Sequence, residues 1–117
     1  MRYYRLKYRL SIKHSADDNR EHMHSHVIEI EVYARVEGED FIEFLDMDKM
    51  LRKSLDGYQH KYINDIAEFM GNATIEGIGE TLYRRLDDIF TGSGWIIARL
   101  SVSETPLRTY SIVAEEI

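Results

Sequence analysis

From Tyr4 to His14 the even positions are Tyr4, Leu6, Tyr8, Leu10, Ile12 and His14, while the odd positions are mostly Arg, Lys and Ser. Side chains alternate faces along a strand, so this period of two predicts a half-buried strand whose apolar face continues into His14. The polar run Ser15–Glu21 contains the Asp and Asn residues that favour a chain reversal. A second alternation follows, with His24, His26, Ile28, Ile30, Val32, Ala34 and Val36 on one side and Glu29, Glu31, Arg35 and Glu37 on the other. Gly38-Glu39-Asp40 predicts a turn, and Phe41 to Leu45 is short and apolar. The period then changes. Asp46 is placed to cap a helix carrying Met47, Met50, Leu51, Ser54 and Leu55 on one face and ending at Gly57. Methionines at that spacing read as core fillers.

Tyr58 to Met70 is irregular or weakly helical. Thr74 predicts the N-cap of a second helix with Ile75, Ile78, Leu82, Leu86 and Ile89 on one face, closed by Thr91-Gly92-Ser93-Gly94. Gly77 and Gly79 in its first turns each cost up to about 1 kcal/mol against Ala, which points either to close backbone approach or to simple tolerance. A third strand, Trp95 to Glu104, has Ile96, Ala98, Leu100 and Val102 on its even face, and that face ends in Glu104. Pro106 forces a turn before a fourth strand, Thr109 to Ala114.

These assignments bring chemistry together. If the first two strands pair antiparallel, His14 at the end of one lies beside His24 and His26 at the start of the other. Residues two apart on a strand share a face at about 6.5 Å, within reach of one metal ion. Three imidazoles with an open fourth position are the arrangement of catalytic zinc, because the free position takes water or a substrate oxygen. The alternative is a hairpin mouth that happens to be rich in histidine. His22 is a spare on the same stretch, in a supporting or solvent-facing place. Glu104 is a carboxylate at the end of an apolar face, which is costly without partners. It is a candidate zinc ligand, general base, or acceptor for the paired N–H donors of a flat heterocycle, and otherwise a rim residue in a surface ion pair.

Composition narrows the field. A chain of 117 residues predicts one domain over 1–117, and 31% charged with 44% hydrophobic residues fits an ordinary soluble protein. There is no cysteine, which removes disulfides, thiolate metal sites and Cys nucleophiles. A net charge of −6 argues against a general nucleic-acid surface. Met1-Arg2-Tyr3-Tyr4-Arg5-Leu6 alternates basic and apolar residues, so neither a signal peptide nor a membrane span is expected, and a cytoplasmic location is.

Five short motifs, in order, resemble the 6-pyruvoyl-tetrahydropterin synthase and 6-carboxy-tetrahydropterin synthase family over nearly the whole chain. They are Leu10-Ser11-Ile12-Lys13-His14, His24-Ser25-His26, Gln59-His60-Lys61-Tyr62-Ile63-Asn64, Ala73-Thr74-Ile75-Glu76 and Glu104-Thr105. The resemblance implies an α+β tunnelling fold, a four-stranded antiparallel sheet with two helices on one face, assembled through its edges into a barrel as a trimer or hexamer. It implies zinc on His14, His24 and His26. It implies a pterin substrate held by Glu104, with Thr105, Thr74 and Glu76 as further substrate contacts. It also implies a site between subunits, with the residues around His60 coming from a neighbour.

The departures from that pattern matter. The family's usual catalytic Cys falls at Arg20, its Asp-His pair has become Gln59-His60, and its His-Gly-His and Pro-Thr have become His24-Ser25-His26 and Ala73-Thr74. A divergent class in the family lacks the Cys and uses a Glu three residues before His-x-His, where Glu21 stands. The implied activity is a zinc-dependent lyase on 7,8-dihydroneopterin or its triphosphate, with Glu21 and His60 as the catalytic candidates. The possible reactions include triphosphate elimination, the carboxy-forming reaction of queuosine precursor synthesis, and cleavage to 6-hydroxymethyl-dihydropterin. The alternative reading is a homologue that keeps metal and heterocycle binding but has lost the base. Arg20 would then be free to hold a phosphate or pair with Glu21.

Overall fold

The computed structural model describes all 117 residues. Four strands, β1 (Tyr4–His14), β2 (His24–Val36), β3 (Trp95–Thr105) and β4 (Arg108–Val113), form one antiparallel sheet in the order β1-β2-β3-β4. Two helices, α1 (Phe44–Leu55) and α2 (Ile75–Gly92), lie in the connection between β2 and β3. Between the helices the chain makes three short 3₁₀ turns, at Asp56–Tyr58, Ile63–Asp65 and Ala67–Phe69.

The alternation in β1 and β2 fixes which face is covered. Leu6, Tyr8, Leu10, Ile12, Ile28, Ile30, Val32 and Ala34 are buried and join the inner sides of both helices in one hydrophobic cluster. From α1 the cluster takes Met47, Leu51 and Leu55, and from α2 it takes Ile78, Leu82, Leu86 and Phe90. The other face carries a ladder of ion pairs in which Glu31 meets Arg5 and Lys7, and Glu29 meets Lys7 and Arg9.

Several local expectations are corrected. Helix α1 begins at Phe44, so Asp46 lies within the first turn; Glu43 holds the N-cap position with no side-chain cap. The Asp46 carboxylate still lies where the positive end of the helix dipole favours it. The helix ends at Leu55, and Asp56-Gly57-Tyr58 tightens into a 3₁₀ turn. In β3 the register slips between Tyr33 and Ala34, leaving Ala98 unopposed. One extra residue reverses every side chain beyond it, so Ile97, facing Ala34, is buried and Ile96 is only partly covered. The Ala98 carbonyl accepts from the N–H groups of both Ala114 and Glu115. Strand β4 accordingly ends at Val113.

Thr74 does cap α2, its side chain accepting from the Gly77 N–H. Gly77 and Gly79 are required by close approach. A Cβ on Gly77 would stand 2.7 Å from the carbonyl carbon of Asn72, and one on Gly79 would stand 3.0 Å from Val102 Cγ2 and 3.1 Å from Tyr110 Cδ2. The helix start is thus pressed against the turn before it and against the sheet. No helix is long and apolar enough to cross a membrane.

Candidate metal centre and adjoining cleft

Antiparallel pairing places His14 directly opposite His24 and Ile12 opposite His26. Three imidazoles therefore meet at the end of the sheet, with ring centroids 4.5 Å (His14 to His24), 5.1 Å (His14 to His26) and 4.5 Å (His24 to His26) apart. One nitrogen from each ring lies within 4.8 Å of the others, close enough to share a metal ion.

The backbone orients two of the rings. His14 Nδ1 is 2.6 Å from the Ala73 carbonyl oxygen, and His24 Nδ1 is 3.0 Å from the carbonyl oxygen of His22. A carbonyl only accepts, so in the neutral ring each Nδ1 carries the proton and each Nε2 keeps a free lone pair. This is the tautomer a metal requires, held by the kind of outer hydrogen bond that ligating histidines usually make. His14 is 2% exposed, and its Nε2 is buried with no hydrogen-bond partner. A buried nitrogen without a partner is costly unless something fills the position, and a cation shared with the other two imidazoles would fill it. The donor set fits a metal such as zinc.

Glu104 completes the neighbourhood. Its Oε1 is 3.8 Å from His14 Nε2 and its Oε2 is 3.7 Å from His26 Nε2. A second register slip accounts for its placement: Ser103 faces Thr109 and Thr105 faces Arg108, so Glu104 is the extra residue of a bulge. Bulges re-aim side chains next to functional sites. His26 has its pKa lowered, first by burial and then by the neighbouring His24 and His14, against a raising effect from Glu104.

Beside the histidines lies a cleft of about 320 Å³ lined by Glu76, Glu104, Thr105, Arg108 and Tyr110 among others. Glu104, Thr105 and Glu76 thus share one cavity. Thr74 is adjacent in sequence but spends its hydroxyl on capping α2. Sequence reasoning missed Arg108, Thr109 and Tyr110, which reach the cleft because the β3–β4 hairpin folds them back. The signal available was their position just after the Glu104-Thr105 strand end.

Neither catalytic candidate is hydrogen-bonded to the three imidazoles or to Glu104. Glu21 is exposed on the 3₁₀ turn Arg20–His22, and its only hydrogen bond is from its N–H to Asn19 Oδ1. His60, at a φ of 64°, is exposed and donates its N–H to the Ser11 carbonyl. Its cavity of about 280 Å³ is lined by Ser11, Lys13, Ser25 and Val27, whose positions alternate with the imidazole face, and also by Ile12 and His26. Gln59 is fully engaged: Oε1 accepts from Ser11 N, and Nε2 donates to the Tyr8 hydroxyl and the Arg9 carbonyl. Arg20 pairs with Asp65, not Glu21, and lies 4.6 Å over the Tyr62 ring. His22 is exposed and pairs with Asp17.

The fold recurs in solved structures. The 6-pyruvoyl tetrahydropterin synthase of Caenorhabditis elegans is 17% identical with a TM-score of 0.75, the match covering 97% of this chain and 95% of that one. An uncharacterised protein of Wolinella succinogenes is 12% identical with a TM-score of 0.66, covering 98% of this chain and 100% of that one. A Plasmodium vivax 6-pyruvoyltetrahydropterin synthase, in a variant with a catalytic glutamate changed to alanine, is 14% identical with a TM-score of 0.55, covering 99% and 100%. Among curated protein sequences none matches. A sequence model of the whole family does match, over residues 3–115, a span that takes in every landmark of the histidine site and its cleft; the chain belongs to the 6-pyruvoyl tetrahydropterin synthase family.

Proposed function

We propose that the chain, acting as one unit over residues 1–117, is a zinc-dependent pterin lyase on 7,8-dihydroneopterin or its triphosphate. The observation that carries this reading is the buried, unpartnered Nε2 of His14, facing two further imidazoles at the mouth of a cleft that contains Glu104. His14, His24 and His26 would hold the zinc, which supplies Lewis acidity toward a side-chain hydroxyl of the substrate. Glu104 would accept from the paired N–H donors of the pterin ring, with Thr105 and Glu76 along the same wall and Thr74 holding the helix start behind it.

Glu21 is the base in this reading, taking a proton as the substrate side chain is cleaved. It stands three residues before His24, and a glutamate is the catalytic residue changed in the Plasmodium vivax relative. His60 gives or takes the second proton. Exposed beside the outer edge of β1, where its N–H meets the Ser11 carbonyl, it is suited to serve the site of a neighbouring subunit in a trimer or hexamer. Edge-to-edge assembly of that kind would also cover the open strands β1 and β4.

A second reading has its own support. Gln59 and Arg20 occupy the places of the family's proton-transfer groups, and both are spent on structural contacts. A homologue that binds metal and pterin without turnover fits that observation. One experiment separates the two: metal analysis of the purified protein, then mass spectrometry of products after incubation with dihydroneopterin and with its triphosphate. The product mass distinguishes triphosphate elimination, the carboxy-forming reaction and side-chain cleavage. A zinc-loaded protein that binds pterin yet leaves both compounds intact would establish the second reading in place of the first.

A further inference from the structure

The connection Ser15–Met23 joins the two histidine-bearing strand ends and carries Glu21. Its first half is held by the 62–65 segment. Asn64 accepts from the Ser15 N–H at 2.9 Å and donates to the Ser15 carbonyl and to Asp18 Oδ1, both at 2.7 Å. The Ser15 and Tyr62 hydroxyls are 2.8 Å apart. Its second half, Asn19–Met23, is different. Its hydrogen bonds are internal or reach only Asp17 and His24: His22 N–H to Asn19, Met23 N–H to Arg20, Glu21 N–H to the Asn19 side chain, His22 to Asp17, and His24 Nδ1 to the His22 carbonyl. One side chain of this half ties it to the body of the protein. Arg20 pairs with Asp65 and lays its guanidinium over Tyr62.

We infer that Arg20 is a positioning residue: by clasping Asp65 and Tyr62 it fixes the turn from which the adjacent Glu21 works. An exposed ion pair alone contributes little, but this one is joined to a cation–π contact on a ring that is itself anchored by Ser15. A residue standing where the family places a reactive thiol would then serve as a latch. The inference rests on the proposed role of Glu21 for its catalytic consequence, but the latch itself can be read without turnover.

The test compares Arg20→Ala, Asp65→Ala and the double reversal Arg20→Asp with Asp65→Arg in the full-length, zinc-loaded protein. Amide hydrogen exchange over residues 19–23 is followed by mass spectrometry, and turnover of dihydroneopterin is measured alongside. Each single substitution should speed exchange in that segment and lower kcat by roughly tenfold with KM little changed, as expected when a catalytic group is misplaced and not removed. The double reversal should recover both. Unchanged exchange in Arg20→Ala, or losses that the double reversal fails to recover, would overturn the latch. A wild-type protein with no turnover would instead remove the lyase reading, leaving exchange to decide the latch alone.

Discussion

Replacing Gly77 with alanine tests how the fold supports the histidine site. In an open helix the change would stabilise by up to about 1 kcal/mol, through backbone entropy and propensity. Here the added methyl would stand 2.7 Å from the Asn72 carbonyl carbon and 2.9 Å from its Cα, with the carbonyl oxygen closer still. These are backbone atoms, which cannot rotate away, so the cost belongs at the upper end of the roughly 1–3 kcal/mol for overpacking. Net destabilisation of about 2 kcal/mol follows. For a chain of 117 residues the unfolding entropy is about 0.25 kcal/mol/K, so the melting temperature should fall by about 8 °C. The displaced residue immediately precedes Ala73, whose carbonyl receives the His14 Nδ1 proton. Zinc affinity should therefore fall as well, by about 10–100-fold, the usual effect of disturbing a ligand's outer hydrogen bond. Thermal melting by circular dichroism and zinc competition against a chelator read the two effects. Gly92→Ala, where an added Cβ meets nothing within 4 Å, is the control and should be neutral or slightly stabilising. A Gly77→Ala protein that melts at or above the wild-type temperature with unchanged zinc affinity would refute the coupling between helix start and metal centre.

Zinc at 100 times its Kd should raise the stability of the wild-type protein by about 2.7 kcal/mol, roughly 11 °C, and His14→Ala should lose most of that shift in differential scanning calorimetry. Glu21→Gln should abolish turnover while leaving zinc content and the melting temperature unchanged; retained turnover in a product assay would dismiss Glu21 as the base. The metal-free protein should lose stability as pH falls below about 6.5. The His26 pKa lies below that ordinary value because of burial first and then His24 and His14, so the unfolded chain takes up the proton first. The loss should stop once pH drops past the folded-state pKa, and urea melts across pH 7 to 5 would show it.

What could be read from sequence was whatever a strand's own alternation determines. The even positions of β1 and β2 carried His14, His24 and His26 to one face, and the antiparallel register then brought them together. The bulges at Ala98 and Glu104 were invisible because they arise from pairing with a neighbouring strand, which no local pattern records. Gly77 looked like either a tolerated residue or a close approach, and only the position of Asn72 decides. Asp46 matched a cap by type, but the cap position is Glu43, three residues earlier, where packing of Phe44 edge-on against Tyr4 favours the helix start. The duties of Gln59 and Arg20 depend on partners about 50 and 45 residues away, beyond the reach of any motif.

The segment around Gln59 has a bearing on how the molecule avoids unwanted company. Its side-chain amide and the backbone of His60 and Lys61 satisfy Arg9, Ser11 and Lys13 along the outer edge of β1, as another strand would. The part of that edge leading up to His14 is therefore closed to foreign strands. By the alternation of an antiparallel edge, what stays open is the backbone of Arg5 and Lys7 and the N–H of Arg9, beside the ion pairs these side chains make with Glu29 and Glu31. Any chain that adds there does so about 16 Å or more from the imidazoles, at roughly 3.3 Å per residue. Gln59 and the two residues after it thereby make the histidine end of the sheet resistant to templated misassembly, while the edge at the opposite end stays open.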